Sequence, residues 1–193
     1  MLRTFLCRRC LLLSLLVGIS SAAGCGGQRW VVIHDGGAPS PLKGAGPTTV
    51  SFDYSQLEVG RLGEAAYVQS KLANDPGYAK TWAELKASFE SSFLDGMRPE
   101  WPRGVAAGQP GPSGVHIVVA PRSMSMGHYM LVAATPTTIN AAMTFYVAGQ
   151  ASDQIAITGS VLASVIHPSI FQHVPVVGVY IGRHTGRFLQ SKG

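Results

Sequence analysis

Met124, Met126, His128 and Met130 fall at alternate positions of the stretch Met124-Ser125-Met126-Gly127-His128-Tyr129-Met130. In an extended chain, side chains two residues apart share a face, so three thioethers and one imidazole would point the same way. Soft sulfur and imidazole donors suit Cu(I) or Ag(I), and this is the most specific chemical pattern in the chain. The competing reading is core packing. Methionines commonly fill irregular interiors, and Gly127 favours a bulge that breaks the alternation. The core reading is preferred, with a copper or silver binder as the rival, because no residue supporting the ligands can be named from sequence.

A second group is cationic. Arg183, Arg187 and Lys192 gather near the C-terminus with His184, whereas Asp153 is the only acidic residue after Glu100. A basic end of this kind can meet anionic lipid headgroups or cell-wall polymers. It is also what the solvated C-terminal end of a helix ordinarily looks like, since cations are favoured there.

Catalytic constellations are sparse. A zinc-protease H-E-x-x-H, a Walker loop and a G-x-G-x-x-G are all missing from the sequence. Gly111-Pro112-Ser113-Gly114 does not have the G-x-S-x-G spacing of a nucleophile elbow. His116, His167 and His173 lack the i, i+4 spacing of a helical metal pair, and His34-Asp35 is followed by two glycines and reads as a turn. Paired carboxylates would have to reach across from the first half of the chain. A non-catalytic protein without a metal cofactor is expected, with a hydrolase or transferase assembled from distant residues as the alternative.

The stretch Leu11 to Cys25, LLLSLLVGISSAAGC, is informative about location. Arg3, Arg8 and Arg9 precede an apolar run, and Ser20, Ser21, Ala22, Ala23 and Gly24 follow it, the order of a secretory signal. The run spans roughly ten residues where about twenty are needed to cross a bilayer as a helix, so removal of the segment is expected. Cys7-Arg8-Arg9-Cys10 has the spacing of a redox or zinc motif but lies in this basic leader; its Arg8-Arg9 pair loosely matches a twin-arginine signal.

Ala22-Ala23-Gly24-Cys25 resembles the lipobox of bacterial lipoproteins, with Ala22 where a larger aliphatic is usual. The resemblance implies cleavage before Cys25, acylation of its thiol and an envelope location, and Gly26-Gly27 in place of an aspartate implies the outer membrane, facing the periplasm. It implies a membrane partner through the anchor, with other envelope proteins as candidate partners. Beyond the lipobox, the order of elements loosely resembles small outer-membrane lipoproteins and transfers no site residue.

Loss of Arg3, Arg8 and Arg9 takes 15 basic residues to 12 against 10 acidic ones, a net of +2. That density does not suit nucleic-acid binding. Of three cysteines only Cys25 would remain, so the domain must be stable without an internal disulfide.

Three segments are expected: a signal over 1–24, a lipidated N-terminus and tether over 25–47, and one globular domain over 48–193. The tether reading rests on Gly36, Gly37, Pro39, Pro41, Gly44, Gly46 and Pro47. Within the domain, Thr48–Tyr54 alternates as a strand, and 64–72 and 78–94 show helical spacing, with Tyr78, Trp82, Leu85, Phe89 and Phe93 forming a core stripe. A loop rich in proline and glycine over 98–114 precedes strands at 115–120, 139–147 and 154–162, with Gly149 and Asp153 near the turn between the last two. The final stretch, 168–190, is rich in Val and Ile, yet Gly178, Gly182 and Gly186 recur every four residues and line up a groove for close packing. A helix buried against the sheet is expected there, with Pro175 in its first turns. The fold class is α+β or α/β, one mostly antiparallel or mixed sheet with helices packed upon it.

Overall fold

The computed structural model describes residues 29–111, 114–127, 129–130, 133–163 and 169–193, with the side chains of 129, 130 and 133 left aside. In chain order the elements are β1 (Val31–His34), β2 (Thr48–Phe52), β3 (Glu58–Val59), β4 (Leu62–Gly63), α1 (Glu64–Leu72), α2 (Tyr78–Met97), β5 (Val105–Ala107), β6 (Val115–Ser125), β7 (Tyr129–Met130), β8 (Ala133–Ala134), β9 (Pro136–Val147), β10 (Gln150–Leu162) and α3 (Ile170–Lys192). This is an α+β fold.

Long strands with period-two burial build the centre. Val115, Ile117 and Val119 of β6 meet Ile139, Ala141, Met143 and Phe145 of β9, and Ile155 and Ile157 of β10 complete an apolar face. The main sheet runs β1-β10-β9-β6-β2-β5. Pairing is antiparallel from β1 to β6, then parallel to β2 and β5. The parallel step requires a crossover, which α1 and α2 provide between β2 and β6. The turn from β9 to β10 is Ala148-Gly149, both at positive φ (50° and 78°), so Asp153 lies inside β10 rather than at the turn. β7 and β8 pair in a separate small ribbon.

The helices cover the apolar face in one layer. Trp82, Leu85, Phe89, Phe93 and Met97 of α2 are buried, as the stripe requires, and the helix runs three residues past the expected end. Phe52 of β2 meets Phe89 and Phe93 edge-on. By contrast α1 buries no residue and rides on α2.

The last segment is a helix, started by a capping box in which the Ser169 hydroxyl accepts from Phe171 N and Gln172 Oε1 accepts from Ser169 N. Its glycines are used as expected, against α2 rather than the sheet. A methyl on Gly178 would come 2.9 Å from Phe89 O, one on Gly182 would overlap Phe93 O, and one on Gly186 would meet Glu100 Cβ at 2.7 Å. Gly96 of α2 answers them at Val179 O. The opposite side of α3 buries Val177 and Ile181 over Gly159 of β10.

Two expectations change. The described part of 25–47 belongs to the domain and is not a tether: β1 pairs with β10, Leu42 is fully buried, and the Trp30 ring stands edge-on to Phe188 at 5.8 Å. Glycine and proline there make tight turns, one with a cis bond at Ala38-Pro39, over a segment anchored by a few apolar side chains. Within the expected loop over 98–114, Val105–Ala107 forms a short parallel edge strand on β2.

Candidate functional site

The C-terminal cations are brought to two places. Lys192, in the last turn of α3, points at the sheet rather than outward: its Nζ lies 3.0 Å from Asp153 Oδ1 and 2.7 Å from Asp35 Oδ1. The Asp153 side chain is fully buried and also accepts from the Ser152 hydroxyl and from Gly36 N. Gly36 is needed for this approach, since a methyl would come 2.8 Å from Ser152 Oγ. Burial alone would lower the Lys192 pKa, but its hydrogen bonds to Asp35 and Asp153 outweigh that and raise it. The same contact, with Gly37 N, lowers Asp35. A cleft of about 450 Å³ opens beside this clasp, lined by His34, Asp35, Pro41, Gln150 and Ser152 among others. With one ammonium shared by two carboxylates, the arrangement fastens the N-terminal segment to the end of α3.

Arg183 and Arg187 lie one turn apart on the outer side of α3 and converge on Glu100, at 3.7 and 3.2 Å. About half of each arginine side chain remains exposed. Next to them His184 is buried against Tyr180, ring centroids 4.4 Å apart, and its Nδ1 has no hydrogen-bond partner. Its pKa is lowered by burial first and then by Arg187, Arg29 and Arg183. The structure thus separates Lys192 from Arg183 and Arg187, and adds Arg29 to the pair.

A third cluster was missed in the sequence. Thr49 Oγ1 lies 2.9 Å from His116 Nδ1 and Ser51 Oγ 3.0 Å from His116 Nε2, on the sheet face opposite the helices. Thr49 and His116 are register partners, so two hydroxyls spaced by two on β2 bracket one imidazole on β6. Only the parallel pairing reveals this; the T-x-S spacing beside a distant histidine was the available signal. Burial lowers the His116 pKa, keeping the ring neutral at pH 7. A neutral imidazole bonded to a serine has the parts of a nucleophile and base. The adjoining cleft of about 260 Å³ is lined by Ser51, Gly108 and Gln109, but Gly108 N already donates to Val50 O. The chemistry supported is that of a polar surface patch.

The methionine stretch is not one extended strand. β6 ends at Ser125 and Met130 lies in β7, on the other sheet. Met124 is 4% exposed within the core and Met126 packs partly against it. His128 lies outside the described residues, as does Cys25. Gly127 N donates to Thr137 Oγ1, which contacts His173 Nδ1 at 2.9 Å, so this end of the sheet is tied to α3 by a buried polar chain. Among the described residues no group of three or more His, Cys, Asp or Glu could hold a metal ion, and no helix is long and apolar enough to cross a membrane.

No family model and no curated protein matches the chain. Among solved structures it is similar to the PelC dodecamer from Paraburkholderia phytofirmans, at 10% identity and a TM-score of 0.44, over 83% of this chain and 97% of that one. A variant dodecamer of the same protein aligns at 9% identity and TM-score 0.39, over 72% and 88% of the two chains. An uncharacterized protein aligns at 14% identity and TM-score 0.33, over 52% of this chain and 61% of that chain.

Proposed function

We propose that the protein is a lipid-anchored, non-catalytic domain of the bacterial cell envelope, held on the outer membrane facing the periplasm and serving assembly or accessory binding. The observation that carries this reading is the ordered run of basic leader, apolar segment, small residues and Cys25. The domain's first contacts add to it. Trp30 is already seated on Phe188, so from Cys25 only Gly26, Gly27 and Gln28 precede the described chain at Arg29. Four residue steps span at most about 14 Å, so an acylated Cys25 would hold the domain close to the lipid surface. Confinement of this kind raises the domain's effective concentration towards other envelope components. Several acyl chains are needed for firm retention, since one alone binds marginally.

The test is the intact mass of membrane-extracted protein, wild type against Cys25→Ala. A wild-type mass matching a chain that begins at acylated Cys25, absent in the variant, is expected. An unmodified chain recovered without the membrane would end this reading.

A further inference from the structure

The outer side of α3 has a composition unlike the rest of the surface. Val176, Tyr180, Arg183, Arg187 and Gln190 follow one another at steps of three or four residues and so form one stripe. Val176 is 53% exposed, and the Arg183 and Arg187 side chains 52% and 48%. The whole helix contains no acidic residue; Glu100, mostly covered, reaches it from beyond α2 and offsets one charge. The exposed arginines of this stripe suit contact with anionic headgroups, each cation near such a surface being attracted to it. The opposite face of the molecule is uncharged at its centre, presenting Thr49, Ser51, His116, Asn140, Thr144 and Thr158.

Where the chain enters the domain decides what covers the stripe. Arg29 is exposed, lies close enough to His184 to depress its pKa together with Arg183 and Arg187, and precedes Trp30, which is packed on Phe188 of the same helix. The first described residues therefore lie beside α3, not on the open sheet face. Resting on the anchor reading above, we infer that the outer stripe of α3 lies against the anionic headgroups of the membrane in which Cys25 is held. Arg29, Arg183 and Arg187 meet lipid phosphates, and Val176 sits at the boundary with the acyl chains. The sheet face is left turned towards the periplasm.

The experiment uses the acylated protein with one added thiol. Gln190→Cys marks the stripe without removing a cation, and Thr158→Cys marks the sheet face; the thiol of Cys25 is blocked by its acyl group. Each protein is labelled with a fluorophore and reconstituted in vesicles of phosphatidylethanolamine and phosphatidylglycerol carrying a quencher on the headgroups. Quenching at position 190 is expected to exceed that at 158 by about threefold or more, and to fall when Arg183→Gln and Arg187→Gln are introduced together, each arginine near an anionic surface accounting for about a fivefold change in population. Equal quenching at both positions, or more at 158, overturns the orientation while leaving the anchor intact. Shielding of 190 without quenching, with thiol cross-links between copies, assigns the stripe to a second copy and also overturns it. An unacylated chain, seen by mass, overturns both readings.

Discussion

At the level of single residues the firmest assignment is Lys192. Its ammonium is the cation facing the fully buried Asp153, and it also ties down Asp35. Lys192→Met would leave a buried carboxylate without its counter-ion, a change that costs about 3 kcal/mol in comparable settings. Lys192→Arg should recover part of this. The pH dependence follows from the directions of the shifts. The raised Lys192 pKa gives stability that is present below the ordinary lysine value of 10.5 and lost as pH rises through the folded value. The lowered Asp35 pKa gives stability present above 3.8 and lost as pH falls through the folded value. Urea unfolding should therefore show the largest difference between wild type and Lys192→Met from about pH 5 to 9, shrinking at either extreme. A difference that did not shrink beyond either end of that range would mean that the clasp is not electrostatic. Met124 is the second case. With 4% exposure it is a core residue, so Met124→Ala should lower stability by about 2–3 kcal/mol. Titration with Cu(I) under reducing conditions separates this role from metal binding: unchanged affinity after Met124→Ala and Met126→Ala together would remove the metal reading.

Between elements, the α2–α3 contact makes the sharpest demand on sequence. Gly182 faces the backbone of Phe93, and Gly96 faces that of Val179, so neither helix can add a methyl without moving its partner. Gly182→Ala should destabilise by about 3 kcal/mol despite its better helix propensity, the overpacking penalty exceeding the roughly 1 kcal/mol gained on the helix. Thermal unfolding measures this directly; a stabilised variant would show that the helices pack less closely than described. This contact was legible in the sequence, because glycines repeated every four residues mean a groove whatever partner fills it, though α2 could not be named as that partner. The α2 stripe was legible for the same reason: local periodicity survives into the fold. Strands β6, β9 and β10 were found short by several residues, because their polar ends continue a ladder whose pairing is non-local. The Thr49-His116-Ser51 cluster depends wholly on the parallel pairing of β2 with β6, which no local pattern encodes. The methionine alternation failed as a single strand because β6 stops at Ser125.

For the whole molecule, the main consequence lies in where the domain begins. Proline and glycine spacing over 36–47 reads as linker, and composition alone cannot tell a tether from a strap whose turns lie on a core. The strap reading follows from four contacts spread along the segment: Trp30 on Phe188, β1 on β10, Asp35 on Lys192, and Leu42 fully buried. Removing the segment would expose the Leu42 site, costing about 2–3 kcal/mol in burial alone, and would uncover Phe188 and the outer edge of β10. Together with the lost Lys192 contact, this approaches the 5–15 kcal/mol that holds a typical domain folded. A chain starting at Thr48 should therefore unfold at low urea or fail to fold, whereas one starting at Arg29 should match one starting at Gly26 in its unfolding midpoint. Equal midpoints for the two truncations would restore the tether. Retention of stability only in the longer chain would place the start of the folded domain within residues 29–47, with Trp30, β1, Asp35 and Leu42 as parts of the fold and not of a linker.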